Sequence, residues 1–434
     1  MKLNRNYAGL PFLYRKNGAV STVMEIVMKE NVDRTLLQAA VNFTVSRHPY
    51  FKSSLQEREG DYYIAENEMP FEVKETTEFR SLGSKELNFH LMDITYSGKK
   101  IFVAFHHALC DGLGARRFVE TLVCYYCEFK YGVSIENGDG TLPQPGDIYD
   151  PYAYGPYEIE DVEMPEVIGA GFVLPEVPEV MNGDMDYRYS FTLDNESLIS
   201  YTRSIGASPA IAVALLMSKA IYTIHPDADK PIVCNMASSL REALHAEHTF
   251  KNCIGSINLP YVPEDNMVVQ AKRNREIIKA HKEENYIKKN ANNIIYALQR
   301  LDGLHTLEEK KTAMSMFDSM RTNTYTLSYT GRLDLPECEK YIEAMHLYSG
   351  GNNGLLLNMM SVGNTTTIDV IQSFSEMYYV EELKKLLEQE GIRYTVADCI
   401  IFTTPRDGIA DTPAVTSVRE RIDYLKQYVE KLPR

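Results

Sequence analysis

From Tyr131 to Tyr187 the chain contains no lysine or arginine, but it holds 13 aspartates and glutamates and seven prolines. This stretch limits the fold more than any other feature. Proline lacks a backbone donor and blocks both helix interiors and central strands. A structureless loop of this length is foreign to the inside of one compact domain. The stretch therefore reads as an irregular connector lying across the surface between two lobes, with its acids those of a solvated linker. It also carries most of the charge imbalance: without it the acids fall from 60 to 47, against 45 lysines and arginines. The division that follows is an N-terminal lobe over residues 1–135, an acidic crossover over 136–186 and a C-terminal lobe over 187–434.

A chain of 434 residues can bury two cores of ordinary size. Its hydrophobic share of 44% and charged share of 24% exclude disorder as the main state. The net charge of -15 is opposite in sign to that of a typical nucleic-acid binder. Seven scattered cysteines read as reduced thiols, not as a disulfide framework. The first residues lack the apolar centre of a signal peptide, and no stretch reaches the roughly 20 apolar residues that span a bilayer. A soluble, cytoplasmic protein is expected, with no nucleic-acid partner and no integral membrane association.

Both flanks mix helix and strand periodicities, so the fold class is α/β. Ser21–Lys29 alternates like a half-buried strand, and Asn31–Arg47 places Leu36, Leu37, Ala40, Val41 and Val45 on one helical face. Leu87–Thr95 and Lys99–Phe105 read as paired strands joined at a Tyr-Ser-Gly turn. After the crossover, Tyr187–Leu193 reads as a strand, and Asp194 as the cap of a helix reaching about Ile205. Ser208–Tyr222 is a strongly apolar helix. Asp265 to about Arg300 reads as one long charged helix, and Met377–Glu390 as a helix closed by Gly391.

One motif carries chemistry. The strand Lys99–Phe105 runs into His106-His107-Ala108-Leu109-Cys110-Asp111-Gly112, where a helix begins. Neutral imidazole, with a reference pKa of about 6.5, can accept a proton near neutral pH. A residue just past a strand end is fixed by the sheet behind it. Gly112 and Gly114 permit close approach by another backbone. Asp111 either pairs with a cation or caps the helix. A shared metal is disfavoured, because adjacent strand residues point to opposite faces and His106 and His107 would diverge.

HHALCDG resembles the HHxxxDG signature of the chloramphenicol-acetyltransferase-like superfamily. That superfamily includes alcohol acetyltransferases, plant acyl-CoA acyltransferases, polyketide-associated acyltransferases and the condensation domains of peptide synthetases. Ser46-Arg47-His48-Pro49-Tyr50-Phe51-Lys52 is similar to its RHPxLR-type segment. Asn235–Arg241 is similar to the arginine-bearing strand of its second lobe, Asn252-Cys253-Ile254-Gly255 to its GN-x-x-G stretch, and Leu327–Gly331 to its SN-x-G segment. The pieces occur in order along nearly the whole chain. The plant branch's DFGWG motif is absent, and the chain contains no tryptophan.

The resemblance implies two lobes of similar topology, each a mixed sheet flanked by helices, with a tunnel between them and a monomeric state. It implies His107 as general base and His106 as a structural neighbour. It implies Asp111 in an ion pair with an arginine, for which Arg241 is the candidate by position. The expected reaction moves a short acyl group, such as acetyl, from an acyl-CoA co-substrate to a small alcohol or amine. No covalent intermediate forms and no cofactor is held permanently. Ser328 is the candidate for steadying the oxyanion, ahead of Asn323 and Tyr329. The alternatives are a stand-alone condensation enzyme taking its donor from an acyl carrier protein in trans, and a catalytically silent binding protein of the same fold.

Weaker signals complete the reading. Lys272, Arg273 and Arg275 lie on the charged helix and could meet coenzyme A phosphates, although interleaved glutamates suit a solvated face equally. Arg116 and Arg117 form a second basic candidate. Cys124-Tyr125-Tyr126-Cys127 has no second pair and reads as packing, and His245 and His248 lack further ligands.

Overall fold

The computed structural model describes residues 3–15, 21–135, 142–160, 169–177, 185–318, 322–352 and 354–405. Two mixed sheets dominate. The first has five strands in the order Ile342–Ser349, Ser21–Met28, Lys100–His106, Met92–Ser97 and Lys74–Glu75. Alternation sets its faces. Met24, Ile26, Met28, Val103 and Phe105 pack under the helices Arg34–Arg47 and Gly112–Tyr131, whereas Val23, Glu25, Phe102 and Ala104 look the other way.

The second sheet runs Ile254–Pro260, Val233–Ser239, Tyr325–Arg332, Leu355–Val362, Thr365–Gln372, Met185–Asp194 and Tyr394–Val396, and Ile400–Thr403 also pairs with Met185–Asp194. Its core face meets the helices Asn195–Ile205, Pro209–Ile224 and Tyr378–Gln389. Asp194 and Ser208 cap the first two of these, their side chains accepting from the backbone N–H of Ser197 and Ile211. Among the described residues no single helix is long and apolar enough to cross a membrane.

The two-lobed α/β architecture is therefore present, but the chain division drawn at residue 187 is crossed. Ile342–Ser349 lies beyond that point and pairs antiparallel with Ser21–Met28 in the first sheet. It is buried from both sides. Met345 and Leu347 enter the first lobe's core, and Tyr348 faces the apolar cluster between the lobes.

The long charged helix is likewise two helices, Met267–His281 and Glu284–Asp302, broken where Glu283 is extended. The first packs Ala271 into the second lobe's core. The second packs Ile287, Ala291, Ile295 and Leu298 with Leu10, Leu13, Tyr14 and Ala108 in a separate cluster. One straight rod could not serve both.

The described parts of the crossover, 142–160 and 169–177, contain no helix or strand, only an isolated bridge between Asp147 and Thr249. Its last two residues, 185 and 186, already belong to the strand Met185–Asp194, so the second lobe begins slightly before the expected boundary, and 136–141, 161–168 and 178–184 lie outside the described residues. Its acids are not all solvated. Asp150 is buried, accepting from Lys251 Nζ at 3.1 Å and from the backbone N–H of Ala8 at 3.3 Å.

Candidate active site at the strand-to-helix junction

The strand Lys100–His106 ends inside the sheet, so the next residues are placed by it. His106 is completely buried, and its Nδ1 accepts from the backbone N–H of Ala108 at 3.0 Å. His107, the first residue past the strand, keeps part of its surface accessible. Phe12 stacks on its imidazole with ring centroids 3.9 Å apart and planes 9° from parallel. Arg15 lies over the Phe12 ring at 5.2 Å.

Asn252, buried in the second lobe, grips His107 twice. Its Nδ2 donates to the His107 carbonyl at 2.7 Å, and its Oδ1 stands 3.0 Å from Nδ1. The first bond decides the second. With Nδ2 committed to a carbonyl, the atom facing the imidazole is the carboxamide oxygen, which can only accept. Nδ1 must then carry the proton, leaving the lone pair on Nε2. The surrounding protein, which keeps the ring largely from water, pushes His107 down to about 4. The Asp111 carboxylate opposes that shift, and Arg15 adds to it. The imidazole is therefore neutral at neutral pH.

Asp111 does both things its sequence position allows. Its Oδ1 accepts from the backbone N–H of Gly114 at 2.9 Å, capping the helix Gly112–Tyr131, and also from Arg241 Nη2 at 2.8 Å. Its Oδ2 accepts from the backbone N–H of Cys253 at 2.9 Å. Arg241 also donates to the carbonyl of Lys251 at 3.0 Å. Burial works against the guanidinium charge, but neighbouring Asp111 more than offsets it, so the Arg241 pKa is raised.

The glycines are required by contact. A Cβ on Gly114 would overlap the Phe250 carbonyl oxygen, and one on Gly112 would lie 2.6 Å from the Thr330 methyl. The second lobe's backbone thus rests directly on the first turn of the helix. Two further contacts brace the loop from the first lobe: Tyr50 donates to the Leu109 carbonyl at 2.7 Å, and Asn6 to that of Ala108 at 2.6 Å.

Ser328 lies in the strand Tyr325–Arg332. Tyr325 and Leu327 enter the second lobe's core, so Thr326 and Ser328 face the other way. Leu356, paired with Thr326, packs against Val23, Phe102 and Ala104 of the first lobe, which identifies that face as the one turned toward the first lobe. The Ser328 hydroxyl is half-buried there, two residues from the Thr330 contact with Gly112. Asn323 bonds Thr326, and the Tyr329 hydroxyl bonds Ser361.

His106, His107, Asp111, Gly112 and Arg241 come together, with Ser328 on the facing sheet. Among the described residues, the charged-helix residues make no hydrogen bond or ion pair with them. Arg273 pairs with Asp265, Lys272 reaches Glu276 at 4.0 Å, and Arg275 packs over Gly206. Arg116 donates to the Thr330 carbonyl and Arg117 to that of Glu247, so both tie the lobes together.

Cys110 is buried, which pushes its thiol well above the ordinary range and leaves it a poor nucleophile. Cys124 and Cys127 share the first lobe's core with Cys338. Among the described residues no group of three or more histidines, cysteines and acids could hold a metal ion.

Sequence reasoning gave no role to Phe12 or Asn252. Asn252 stood in a segment noted for its resemblance, so a signal existed. Phe12 is a single apolar residue near the terminus and offered none.

No protein-family model and no curated protein matches the chain. Solved structures do. Polyketide synthase associated protein 5 from Mycobacterium tuberculosis aligns with a TM-score of 0.58 at 16% identity, covering 88% of this chain and 96% of that one. The F. sporotrichioides TRI101 structure, complexed with coenzyme A and T-2, aligns with a TM-score of 0.58 at 12% identity, covering 90% and 99%. The first condensation domain of the CDA synthetase aligns with a TM-score of 0.55 at 13% identity, covering 90% and 94%. The chain has the two-lobed chloramphenicol-acetyltransferase-like fold that these structures share.

Proposed function

We propose that the protein is an acyltransferase that moves a short acyl group from coenzyme A to a hydroxyl or amine of a small acceptor. The observation that carries this reading is His107, held neutral with Nδ1 facing the Asn252 oxygen and no bond to Nε2 from any described residue. A TRI101 structure of the same fold contains coenzyme A, which supports a free thioester as donor.

In this reading Nε2 takes the acceptor's proton as the acceptor oxygen or nitrogen attacks the thioester carbonyl carbon. Ser328 donates to the developing oxyanion. Collapse breaks the carbon–sulfur bond, and the imidazolium returns its proton to the departing thiolate. Asp111 and Arg241 position the loop and take no proton.

The test is thiol release from acetyl-CoA with a pooled set of small alcohols and amines. Wild type should release coenzyme A, and His107→Ala should be slower by about 10²–10⁴-fold with an unchanged melting temperature. Equal rates in the two proteins would refute His107 as the base. Release only from an acylated carrier protein would replace the donor.

A further inference from the structure

The second sheet turns an unusually polar face toward the first lobe. Cys234, Met236, Ile257 and Leu259 are core residues, so their neighbours Asn235, Ser256 and Asn258 point the opposite way. In register, Asn258 stands beside Asn235, Asn235 beside Thr326, and Ser328 beside Asn358. Three carboxamides and three hydroxyls thus cover four adjacent strands. At the usual strand spacing that is roughly 14 Å across. One edge of this array lies at Ser328, two residues from the strand's contact with the motif.

The array grades from solvent to core: Ser256 is exposed and Asn358 is buried. Asn235, Asn258, Thr326 and Ser328 are all half-buried. The Asn235 amide donates to the Asn258 carbonyl at 3.1 Å, which spends one donor and one acceptor of the pair. The Asn235 oxygen and the Asn258 N–H groups have no partner among the described residues. Half-buried polar groups of this kind can bond water, and a ligand that displaces that water must replace those bonds. One apolar residue shares this face: Leu356, paired with Thr326 and two residues from Asn358, packs against the cluster that holds Val23, Phe102 and Ala104.

We infer that this face binds the acceptor, and that the acceptor is a polyhydroxylated small molecule of the glycoside or polyol class. The inference rests on the acyltransferase reading for the word acceptor, but the binding surface does not depend on it. Carboxamides and hydroxyls alternate in two dimensions here. That suits a compact ligand with hydroxyls on several sides, each donating and accepting. A linear pantetheine arm would run along one row and leave the rest unpaired. An alkyl alcohol would leave nearly all of it unpaired, and such a site discriminates by roughly 10⁴–10⁵ against ligands that lack the matching groups.

The experiment uses the full chain and two readouts. Calorimetric binding is measured with a panel of methyl glycosides and linear polyols and with hexan-1-ol, on wild type, His107→Ala and Asn235→Leu/Asn258→Leu. A panel member should bind wild type and His107→Ala alike, bind the double variant about tenfold more weakly or worse, and outcompete hexan-1-ol. Thiol release from acetyl-CoA should show the same acceptor order. The double variant should raise the acceptor KM and leave the acetyl-CoA KM within twofold.

Hexan-1-ol binding or reacting better than every polyol would overturn the inference. So would a KM change confined to acetyl-CoA, which would reassign the face to the donor arm, and so would no binding by any panel member. Polyol binding without thiol release would keep the inference and remove the acyltransferase reading instead. Asn235→Asp/Asn258→Asp, which keeps polar groups on the face, guards against a folding failure of the leucine pair.

Discussion

The lobes are joined at two buried arginine–carboxylate contacts, and the two are built differently. At the motif, Asp111 of the first lobe meets Arg241 of the second, and both also bond backbone groups: Asp111 accepts from Gly114 and Cys253, and Arg241 donates to the Lys251 carbonyl. At the far side, Glu25 of the first sheet meets Arg188 of the second at 2.9 Å. Arg188 also meets Asp369 at 3.0 Å, and Asp369 reaches His346 at 3.1 Å. Lys100 completes the ring on Glu25, and Arg188 lies over the Tyr348 ring at 3.8 Å.

The motif contact therefore fixes loops, whereas the far contact locks side chains of five strands to one another. Loop placement governs the geometry of His107. Strand locking governs only whether the lobes stay together. Breaking either one should cost stability, but only the first should cost turnover.

The largest effect is expected from Asp111→Asn. It leaves Arg241 buried without its counter-charge, a loss of roughly 3–5 kcal/mol for a buried pair. It also loosens the loop that carries His107. Both the melting temperature and kcat should fall, and an unchanged melting temperature would remove Asp111 from its structural place.

Asn252→Ala should separate the two effects. The ring loses its tautomer anchor while the Asp111–Arg241 pair stays. kcat should fall by about tenfold, equivalent to about 1.4 kcal/mol of barrier, with little change in melting temperature. Asn252→Asp offers a check that a packing role would not pass. It restores an acceptor at Nδ1 and brings a negative charge, so it should raise the imidazole pKa. In wild type, activity should hold down to about pH 4–5, because the depressed His107 pKa of about 4 keeps the base neutral there. In Asn252→Asp that acid limb should move toward neutrality.

Glu25→Gln should give the smallest change in catalysis. Burial alone would raise Glu25, but Arg188, His346 and Lys100 together hold it below the usual carboxylate range, and Asp369 is held at about 2. A carboxylate depressed in the folded state stabilises above its unfolded pKa, and that stability fades as pH falls. Wild type should therefore lose stability as pH drops from about 5 toward 2. Glu25→Gln should start lower at pH 7 and lose less on the way down. The turnover of the folded protein should stay within twofold, and a tenfold loss would mean that the far contact reaches the site.

What could be read from the sequence was local. The strand running into His106, the cap at Asp111 and the cap at Asp194 depend on a few consecutive residues. The exchanged strand Ile342–Ser349 was not legible. It is buried on both faces, one against apolar core and one against the Arg188 network, so its polar His346 interrupts any simple alternation. Asp150 was hidden by its surroundings, because a buried acid in a run of thirteen looks like the exposed ones. The grip of Asn252 on His107 joins positions 145 residues apart. Only the folded chain shows which Asn252 atom faces the ring.

The central claim is that His107 is a neutral base with its lone pair on Nε2. Nitrogen-15 NMR of histidine-labelled protein at neutral pH tests it directly, with His107→Gln used to assign the signals. The account predicts a His107 resonance pair with a protonated Nδ1 and a bare Nε2, unchanged down to about pH 5. A ring protonated on both nitrogens at pH 7, or the opposite tautomer, would contradict it.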